Sequence, residues 1–335
     1  AYLQPNVGVP NTAVVLPDGR DSYWVSASAT GIGTGTGYGR NPEFGVGSTL
    51  LTNTDKGHTN TWTFALSKPF TNGFSGSVCP TVSRSTDVTP GTSSQAASNY
   101  NYVARANANS LDEATARFDI PLSVKATLNW EHAFWGDNKT SVGLYYNGHD
   151  GQAYSWIFGQ DVNGDTYGFN DLAYIPLFND SKVVYRGSSN PAVLAQQIAA
   201  FQAFIDQNPY LASHRGRIAD RNGDRQPWVN QLDLGVQQEF PGFFRNNKFV
   251  VRLDVYNFLN LLNKDWGDQE GVGYFATRRL TNVADVNAAG QYVYNLGTDP
   301  ATPSWQNYGI YDSIGSPPSR VTSRWSGVLT GEYKF

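Results

Sequence analysis

The sequence of 335 residues has no methionine, a single cysteine and no long apolar run. Cys79 therefore has no partner for a disulfide within the chain, and no cysteines and histidines have the spacing of a zinc site. No window of about 18 consecutive apolar residues exists, which excludes transmembrane helices. The mean hydropathy of −0.42 fits a chain that is polar over most of its length.

Charged residues are also few. They make up 16% of the chain, the formal net charge is −4, and the basic residues are scattered. Because a nucleic-acid surface needs a concentrated basic patch, the sequence predicts no nucleic-acid partner. It has no G-x-S-x-G elbow and no H-E-x-x-H motif, and its four histidines (His58, His132, His149 and His214) are far apart. We therefore predict that the protein is not an enzyme.

Aromatic residues are abundant, at 14% of the chain, and many occur with a period of two. In residues 320–335, Trp325, Leu329, Tyr333 and Phe335 share one face of a predicted strand and the charged residues share the other. A membrane-spanning strand has roughly 9–11 residues, apolar side chains toward lipid, polar ones toward the lumen, and aromatic residues at the interfaces. This segment has all three properties.

Three predicted strand pairs show the same alternation: 59–67 with 74–84, 118–131 with 142–146, and 228–240 with 249–256. Short turns join the two strands of each pair, at 69–73, 136–138 and 241–247. The other connections are long and polar: 85–116, 149–227 and 300–319. Short periplasmic turns and long extracellular loops are typical of outer-membrane barrels. With further strands near 273–280 and 291–296, about ten in all, the sequence predicts an all-β fold, an antiparallel transmembrane β-barrel.

The charged residues on the polar face of these strands are predicted to line the lumen. They would either contact a plug or a passing solute, or only hydrate the lumen and pair with charges on neighbouring strands. They are Arg117, Asp119, Lys125, Asp233, Arg252, Asp254, Arg324, Glu332 and Lys334. The outward aromatic residues are interpreted as lipid anchors: Trp62, Trp130, Trp325, Tyr333 and Phe335.

Two regions depart from the strand pattern. Residues 1–47 are interpreted as a loop-rich segment with one strand-like patch at 22–29, and the glycines of 31–39 as loop. The connection 149–227, predicted to be extracellular, contains one helix from Pro191 to Gln207 with Asn190 as its N-cap. The helix carries an apolar stripe, which consists of Leu194, Ile198, Phe201 and Ile205.

The same connection holds a candidate calcium site. Asp161, Asn163 and Asp165 have the D-x-N-x-D spacing that presents oxygen atoms to calcium, with Asn170 and Asp171 close by. A turn held by side-chain-to-backbone hydrogen bonds has the same sequence and stays open as an alternative. The spacing recurs, with an arginine inside it, at residues 220–224. Apart from possible calcium, we predict no cofactor.

The aromatic residues of this connection form a second candidate site: Tyr154, Trp156, Phe158 and Tyr174. The helix stripe is expected to pack on this cluster and so form a lid over the barrel mouth. Aromatic and acidic side chains left facing outward would then contact a solute.

Several stretches resemble the C-terminal barrel of TonB-dependent outer-membrane receptors, most of all the Oar-like subfamily of Gram-negative bacteria. They are Q-P-W-V-N-Q-L-D-L at 226–234, R-L-D-V-Y-N-F-L-N-L-L-N-K-D-W-G at 252–267 and G-E-Y-K-F at 331–335. Weaker matches are L-L-T-N-T-D-K-G at 50–57, Y-S-W-I-F-G-Q-D-V-N-G-D at 154–165, N-D-L-A-Y-I-P at 170–176 and N-P-Y-L-A-S-H-R-G at 208–216. The resemblance runs from about residue 48 to 335. V-C-P-T-V at 78–82 departs from it, because proline cannot donate to a strand ladder.

The resemblance implies a 22-stranded barrel with an N-terminal plug, and energised uptake of an unknown solute across the outer membrane. We therefore expect this chain to be the C-terminal part of a longer receptor, whose missing N-terminal region contacts the TonB complex. Tyr333 and Phe335 resemble the signal that the outer-membrane assembly machinery reads. An outer-membrane adhesin or structural barrel without active transport is the alternative, and a soluble all-β domain also stays open.

Overall fold

The computed structural model describes residues 1–3, 7–24, 43, 48–244, 247–272, 275–299, 301, 305, 310–312 and 323–335. These residues form mostly β-strands in antiparallel sheets, with few helices, which confirms the all-β class. No helix in these ranges is long and apolar enough to cross a membrane. The predicted glycine loop at 31–39, part of the patch at 22–29 and most of 300–319 lie outside the described residues.

The first eight strands are β1 Tyr2–Leu3, β2 Leu50–Leu51, β3 Thr59–Thr63, β4 Leu66–Thr71, β5 Phe74–Asp87, β6 Ala114–Thr115, β7 Leu122–Trp135 and β8 Asn138–His149. Five short strands follow: β9 Ala153–Phe158, β10 Tyr174–Ile175, β11 Val183–Arg186, β12 Arg217–Ile218 and β13 Asp224–Arg225. The remaining strands are β14 Val229–Pro241, β15 Lys248–Tyr256, β16 Glu270–Val272, β17 Thr277–Val286, β18 Tyr292–Asn295, β19 Ile310–Asp312 and β20 Ser326–Lys334. The helices are α1 Ala96–Asn101, α2 Pro191–Gln207, α3 Pro209–Ser213 and α4 Phe258–Leu262.

Nine strands form one large antiparallel sheet, which we call the wall sheet. Its order is β20-β15-β14-β8-β7-β5-β3, and β4 and β6 also pair with β5. The three predicted hairpins are all present in it. Asn72 and Gly73 both have positive φ, +53° and +80°, as expected for the tight turn between β4 and β5.

The wall sheet has one apolar and one polar face. On the apolar face, one row of side chains crosses six neighbouring strands, each residue lying opposite the next. The row consists of Phe74, Trp130, Val142, Val236, Leu253 and Leu329. The adjacent row on the other face reads Glu131, Ser141, Gln237, Arg252 and Thr330. The alternation seen along each strand is therefore in register across the sheet.

Hydroxyl pairs and ion pairs link neighbouring strands on the polar face. Thr61 pairs with Ser83 at 3.0 Å, and Ser77 with Thr127 at 2.8 Å. The Lys248 ammonium lies 2.6 Å from the Glu239 carboxylate. The polar residues of this face therefore satisfy one another rather than packing into a core.

Pro80 lies within β5 without interrupting it. Its carbonyl accepts a hydrogen bond from Phe64 N at 3.0 Å, so its missing N–H also faces the β3 and β4 side. The neighbouring ladder has a gap there, between Thr63 at the end of β3 and Leu66 at the start of β4. The proline is tolerated because it faces that gap.

Two predicted boundaries are wrong. β7 begins at Leu122 rather than at Phe118, because Asp119 turns back onto Ala116 and Pro121 follows. Arg117 and Asp119 therefore precede the wall sheet, and Arg324 precedes β20, so these three do not line it as predicted. The strand expected near 273–280 is β17, which runs further, to Val286.

The connection 149–227 carries more regular structure than predicted, namely β9 to β13, α2 and α3. A five-stranded sheet forms above one end of the wall sheet, in the order β11-β18-β17-β9-β13. We call this sheet with α2 and α3 the cap. Its β9–β17 and β11–β18 pairs are parallel.

The hydrophobic core lies outside the wall sheet. The main cluster of buried apolar side chains includes Trp156, Phe158, Phe201, Tyr292 and Tyr294, and no described residue of the wall-sheet strands belongs to it. The helix prediction is confirmed in detail: α2 has the predicted bounds, and Asn190 Oδ1 accepts a hydrogen bond from Ala192 N at 3.0 Å. Phe201 and Ile205 of its stripe are fully buried, whereas Leu194 lies outside the cluster.

Candidate functional site

The cap is held together around Asp224 in β13. One oxygen, Oδ2, accepts hydrogen bonds from Tyr154 Oη at 2.6 Å, Trp156 Nε1 at 2.8 Å and Asn208 Nδ2 at 2.9 Å. The donors come from β9 and from the junction of α2 and α3. The second D-x-N-x-D stretch, 220–224, is therefore a structural junction.

Two arginines fasten the cap to the end of the wall sheet. Arg221 donates to the backbone carbonyls of Asp87 and Val88, and it pairs with the Asp87 carboxylate at 3.0 Å. Arg225 pairs with Asp119, whose other oxygen accepts a hydrogen bond from Ser85 N at 2.6 Å. Asp119, predicted to line a lumen, is thus buried beneath the cap.

A cavity of about 210 Å³ opens where these elements meet. Tyr102 and Phe275 stack on each other in its wall. Its polar lining includes Arg117, Ser155, Arg221 and Asn222. The sequence carried no signal for this cavity, because its wall comes from segments up to 185 positions apart, from Pro90 to Phe275.

The predicted calcium residues lie in a tightly folded loop, 161–171, which we call the carboxylate loop. Asp161 Oδ1 accepts a hydrogen bond from Gly164 N at 2.7 Å, and its Oδ2 accepts one from Thr166 N at 2.9 Å. Asn163 Oδ1 accepts from Asp165 N, and Asp165 Oδ1 from Tyr167 N, each at 2.9 Å. The side-chain-to-backbone hydrogen bonds that the sequence left as the alternative are therefore present.

The end of the loop folds back onto its start. Asp171 Oδ2 accepts a hydrogen bond from Val162 N at 2.7 Å, and Asn170 Nδ2 donates to Asp165 Oδ2 at 3.3 Å. The structure thus brings together Asp161, Asp165, Asn170 and Asp171, as the short spacing between them suggested. All four are buried.

Burial and mutual repulsion disfavour the charged forms of these carboxylates. Burial, together with the nearby Asp165 carboxylate, raises the pKa of Asp161 to about 8. Burial raises the pKa of Asp165 to about 6, although the hydrogen bond from Tyr167 N opposes the shift. The pKa of Asp171 also rises well above its usual value, through burial and then through Asp165.

The N-terminal segment covers the carboxylate loop, a contact between distant segments for which the sequence carries no signal. Tyr23 N donates to Asn163 O at 2.7 Å, and Trp24 Nε1 donates to Val162 O at 2.9 Å. Arg20 Nη1 lies 3.6 Å from Asp171 Oδ1 and the same side chain pairs with Asp18 at 2.7 Å. Within the described ranges, no three His, Cys, Asp or Glu side chains are already arranged to hold a metal ion.

The four aromatic residues predicted to contact a solute lie in the cap core. Tyr154, Trp156, Phe158 and Tyr174 are at most 2% exposed, which leaves them almost no surface for a solute. Three of them lie in β9, which is buried along its whole length, Tyr174 lies in β10, and all four belong to the main buried cluster. These residues hold the cap together, and the cavity beside them has a different lining.

The predicted assembly residues lie at the opposite end of the wall sheet from the cap. Tyr333 Oη accepts hydrogen bonds from Phe243 N at 3.1 Å and from Asn247 Nδ2 at 3.3 Å, in the turn between β14 and β15. Phe335 is almost fully exposed and meets the Tyr333 ring edge-on, with ring centroids 5.1 Å apart. Together with Phe243 they form an aromatic rim at the turn end of the sheet.

Comparison of the chain with protein-family models, with curated proteins and with solved structures finds no match.

Proposed function

We propose that the chain is the C-terminal part of the transmembrane β-barrel of a TonB-dependent outer-membrane receptor. The wall sheet would be part of the barrel wall, and the cap would lie over its extracellular mouth. The observation that carries this proposal is the apolar face of the wall sheet, which is exposed although the chain has a packed core elsewhere.

Many large side chains of that face are exposed, among them Trp62, Leu66, Phe74, Val82, Leu128, Leu253 and Leu329. Their incomplete burial forgoes on the order of 10 kcal/mol. That is comparable with the whole stability of a typical domain, about 5–15 kcal/mol. An exposed apolar face of this size indicates contact with an apolar environment. The face extends across six or more paired strands, as the lipid-facing surface of a barrel does.

Strand length and polarity support the same proposal. β7, β8 and β14 have 14, 12 and 13 residues, enough to span a bilayer, which takes roughly 9–11. The opposite face carries paired charges and hydroxyls, as expected of a barrel lumen. Short turns and an aromatic rim occur at one end and the cap at the other, as in a barrel with periplasmic turns and extracellular loops.

The cap supports a role in solute capture. It has its own packed core, and its arginine contacts hold it on the wall sheet next to a cavity with polar and aromatic walls. Energised uptake would require the TonB complex, acting through a region outside these 335 residues. Insertion would require the outer-membrane assembly machinery, and the outer membrane of a Gram-negative cell would be the location. We propose no enzymatic activity.

The proposal is tested in two steps with the full-length protein in a Gram-negative host. Membrane fractionation should place it in the outer membrane, in a form whose gel mobility changes on heating. Depletion of solutes from the medium is then compared between strains with and without the protein, with TonB present or deleted. A solute whose depletion needs both the protein and TonB supports transport. A protein found in the outer membrane with no such solute would indicate an adhesin or structural barrel, and a protein that is soluble without detergent would contradict the membrane assignment.

A further inference from the structure

The carboxylate loop concentrates negative charge in a buried place. Asp161, Asp165 and Asp171 lie beside two buried guanidinium groups, Arg20 and Arg105, and Arg20 is shared with a fourth carboxylate, Asp18. Four carboxylates therefore share two guanidinium groups. Arg105 also donates hydrogen bonds to the backbone carbonyls of Val103 and Tyr100, so it neutralises the carboxylates of the loop only in part. A buried charge excess of this size needs a counter-ion or protons.

Two buried oxygens at the same place, Asn170 Oδ1 and Asp171 Oδ1, accept no hydrogen bond from the described residues, and Asp171 Oδ1 has only the Arg20 guanidinium, 3.6 Å away. Asn170 is 1% exposed, and its amide nitrogen is 3.3 Å from Asp165 Oδ2, so the side chain lies against the carboxylate. Buried acceptors without a donor are rare, and each one needs a water or an ion to satisfy it. Because the Asn170 oxygen lies among carboxylates, an ion bound there would be a cation and not an anion.

We propose that the carboxylate loop binds one calcium ion through the oxygens of Asp161, Asp165, Asn170 and Asp171. Carboxylate and amide oxygens are the ligands that calcium prefers, and a divalent ion matches the charge excess. The carboxylates do not yet converge on one point, so their side chains must rotate toward the ion. Asn163, named with Asp161 and Asp165 from the sequence, is left out of this set, because it adds no charge and its single side-chain oxygen accepts a hydrogen bond from Asp165 N.

Calcium bound here would stiffen the contact between the cap and the N-terminal segment. Arg20, Tyr23 and Trp24 all contact the loop. The loop is reached from its outer side, where Thr166 is half-buried and Phe169 is exposed. Calcium binding at the carboxylate loop does not depend on transport.

The indole of Trp24 provides the probe. Its Nε1 is 2.9 Å from Val162 O, so a terbium ion in the loop would be close enough to be excited through this ring. The purified full chain, folded in detergent, is titrated with terbium while sensitised emission is recorded, and calcium is then added to displace it. Calcium binding is measured separately by calorimetry.

We expect saturable terbium emission, its loss on addition of calcium, and a calcium dissociation constant of about 10⁻⁴–10⁻³ M, as in extracellular calcium modules. Asp165→Asn should weaken calcium binding about tenfold or more, since affinity follows the number of charged ligands. The matched control is Asp220→Asn in the second D-x-N-x-D stretch, where the side chain is 69% exposed, and it should bind like the wild type. Trp24→Phe should lower the emission but leave calorimetric calcium binding in place.

Measurements on the wild-type protein test the proposed calcium site even if Asp165→Asn fails to fold. A folded wild type that shows neither sensitised emission nor calorimetric heat at millimolar calcium overturns the proposal. Equal loss of binding in Asp165→Asn and Asp220→Asn would overturn it too, because the site would then lie elsewhere.

Discussion

The phenol of Tyr333, in the last strand, accepts a hydrogen bond from the backbone N–H of Phe243 at 3.1 Å. Phe243 lies 90 residues earlier, in the turn between β14 and β15. Tyr333 also faces Phe249 of β15 across the ladder. The Tyr333 side chain thus links β20 to the turn between β14 and β15.

Tyr333→Phe keeps the ring and removes the hydroxyl. It leaves Phe243 N and Asn247 Nδ2 without this acceptor, so we expect a loss of about 1 kcal/mol in the free energy of unfolding. Urea unfolding in detergent measures the change. Tyr145→Phe, which removes an exposed phenol elsewhere in the wall sheet, is the control and should have less effect. Equal losses of unfolding free energy in the two variants would mean that the hydrogen bonds to the Tyr333 hydroxyl do not stabilise the protein.

Deletion of Phe335 should act on assembly more than on stability. Its side chain is 97% exposed and contacts the Tyr333 ring, so little packing is lost with it. If the assembly machinery reads this residue, the amount of heat-modifiable protein in the outer membrane should fall several-fold, while the protein refolded in detergent unfolds as before. Unchanged amounts in the outer membrane would show that the residue is not part of the signal.

Asp224→Asn should loosen the cap. It replaces an acceptor of three hydrogen bonds by an amide, and hydrogen bonds to a charged group contribute about 1.5–3 kcal/mol each. We expect a loss of about 3 kcal/mol or more in cap stability, seen as faster protease cleavage within residues 150–228. Asp220→Asn is the matched control. Cleavage at the wild-type rate in Asp224→Asn would contradict the role given to Asp224.

Phe201→Ala tests whether the cap and the wall sheet have separate cores. Phe201 is fully buried in the cap cluster, and a large-to-small change there should cost about 3–5 kcal/mol. Hydrogen exchange should speed up at β9, β17 and β18 and stay slow in β7, β8 and β14. Ala199→Ser, on the exposed side of the same helix, controls for the helix itself. Equal loss of protection in both sheets would contradict the separation.

Local signals explain which elements the sequence could predict. The helix α2 was predictable at its observed bounds because Asn190, Pro191 and the apolar stripe are all adjacent in the chain. The hairpins of the wall sheet were predictable because each one joins neighbouring strands through a short turn. The start of β7 was missed because the alternation continues through Phe118 and Ile120, although Pro121 marks the boundary locally, and Asp119 is held by the distant Arg225.

The cap could not be predicted from these signals. Its parallel pairs join Ser155 to Thr277 and Val184 to Val293, over one hundred positions apart, and all its strands except β17 are short. The aromatic residues of β9 therefore looked like a solute-facing cluster, whereas they are buried in the main cluster, Trp156 against Phe204 of α2. The carboxylate loop was recognisable by its spacing, but its cover of Arg20 and Trp24 comes from a segment whose one pattern, the strand-like patch at 22–29, does not point to the loop.

The most direct test of the central claim compares two adjacent residues of β20, Leu329 and Thr330, which lie on opposite faces of the wall sheet. Each is changed to cysteine in a Cys79→Ser background, spin-labelled and reconstituted in lipid bilayers. If the apolar face contacts lipid, the label at 329 is relaxed mainly by oxygen and the label at 330 mainly by a water-soluble nickel complex. Equal access of the nickel complex to both labels, or greater access at 329, would contradict the placement of the wall sheet in a membrane.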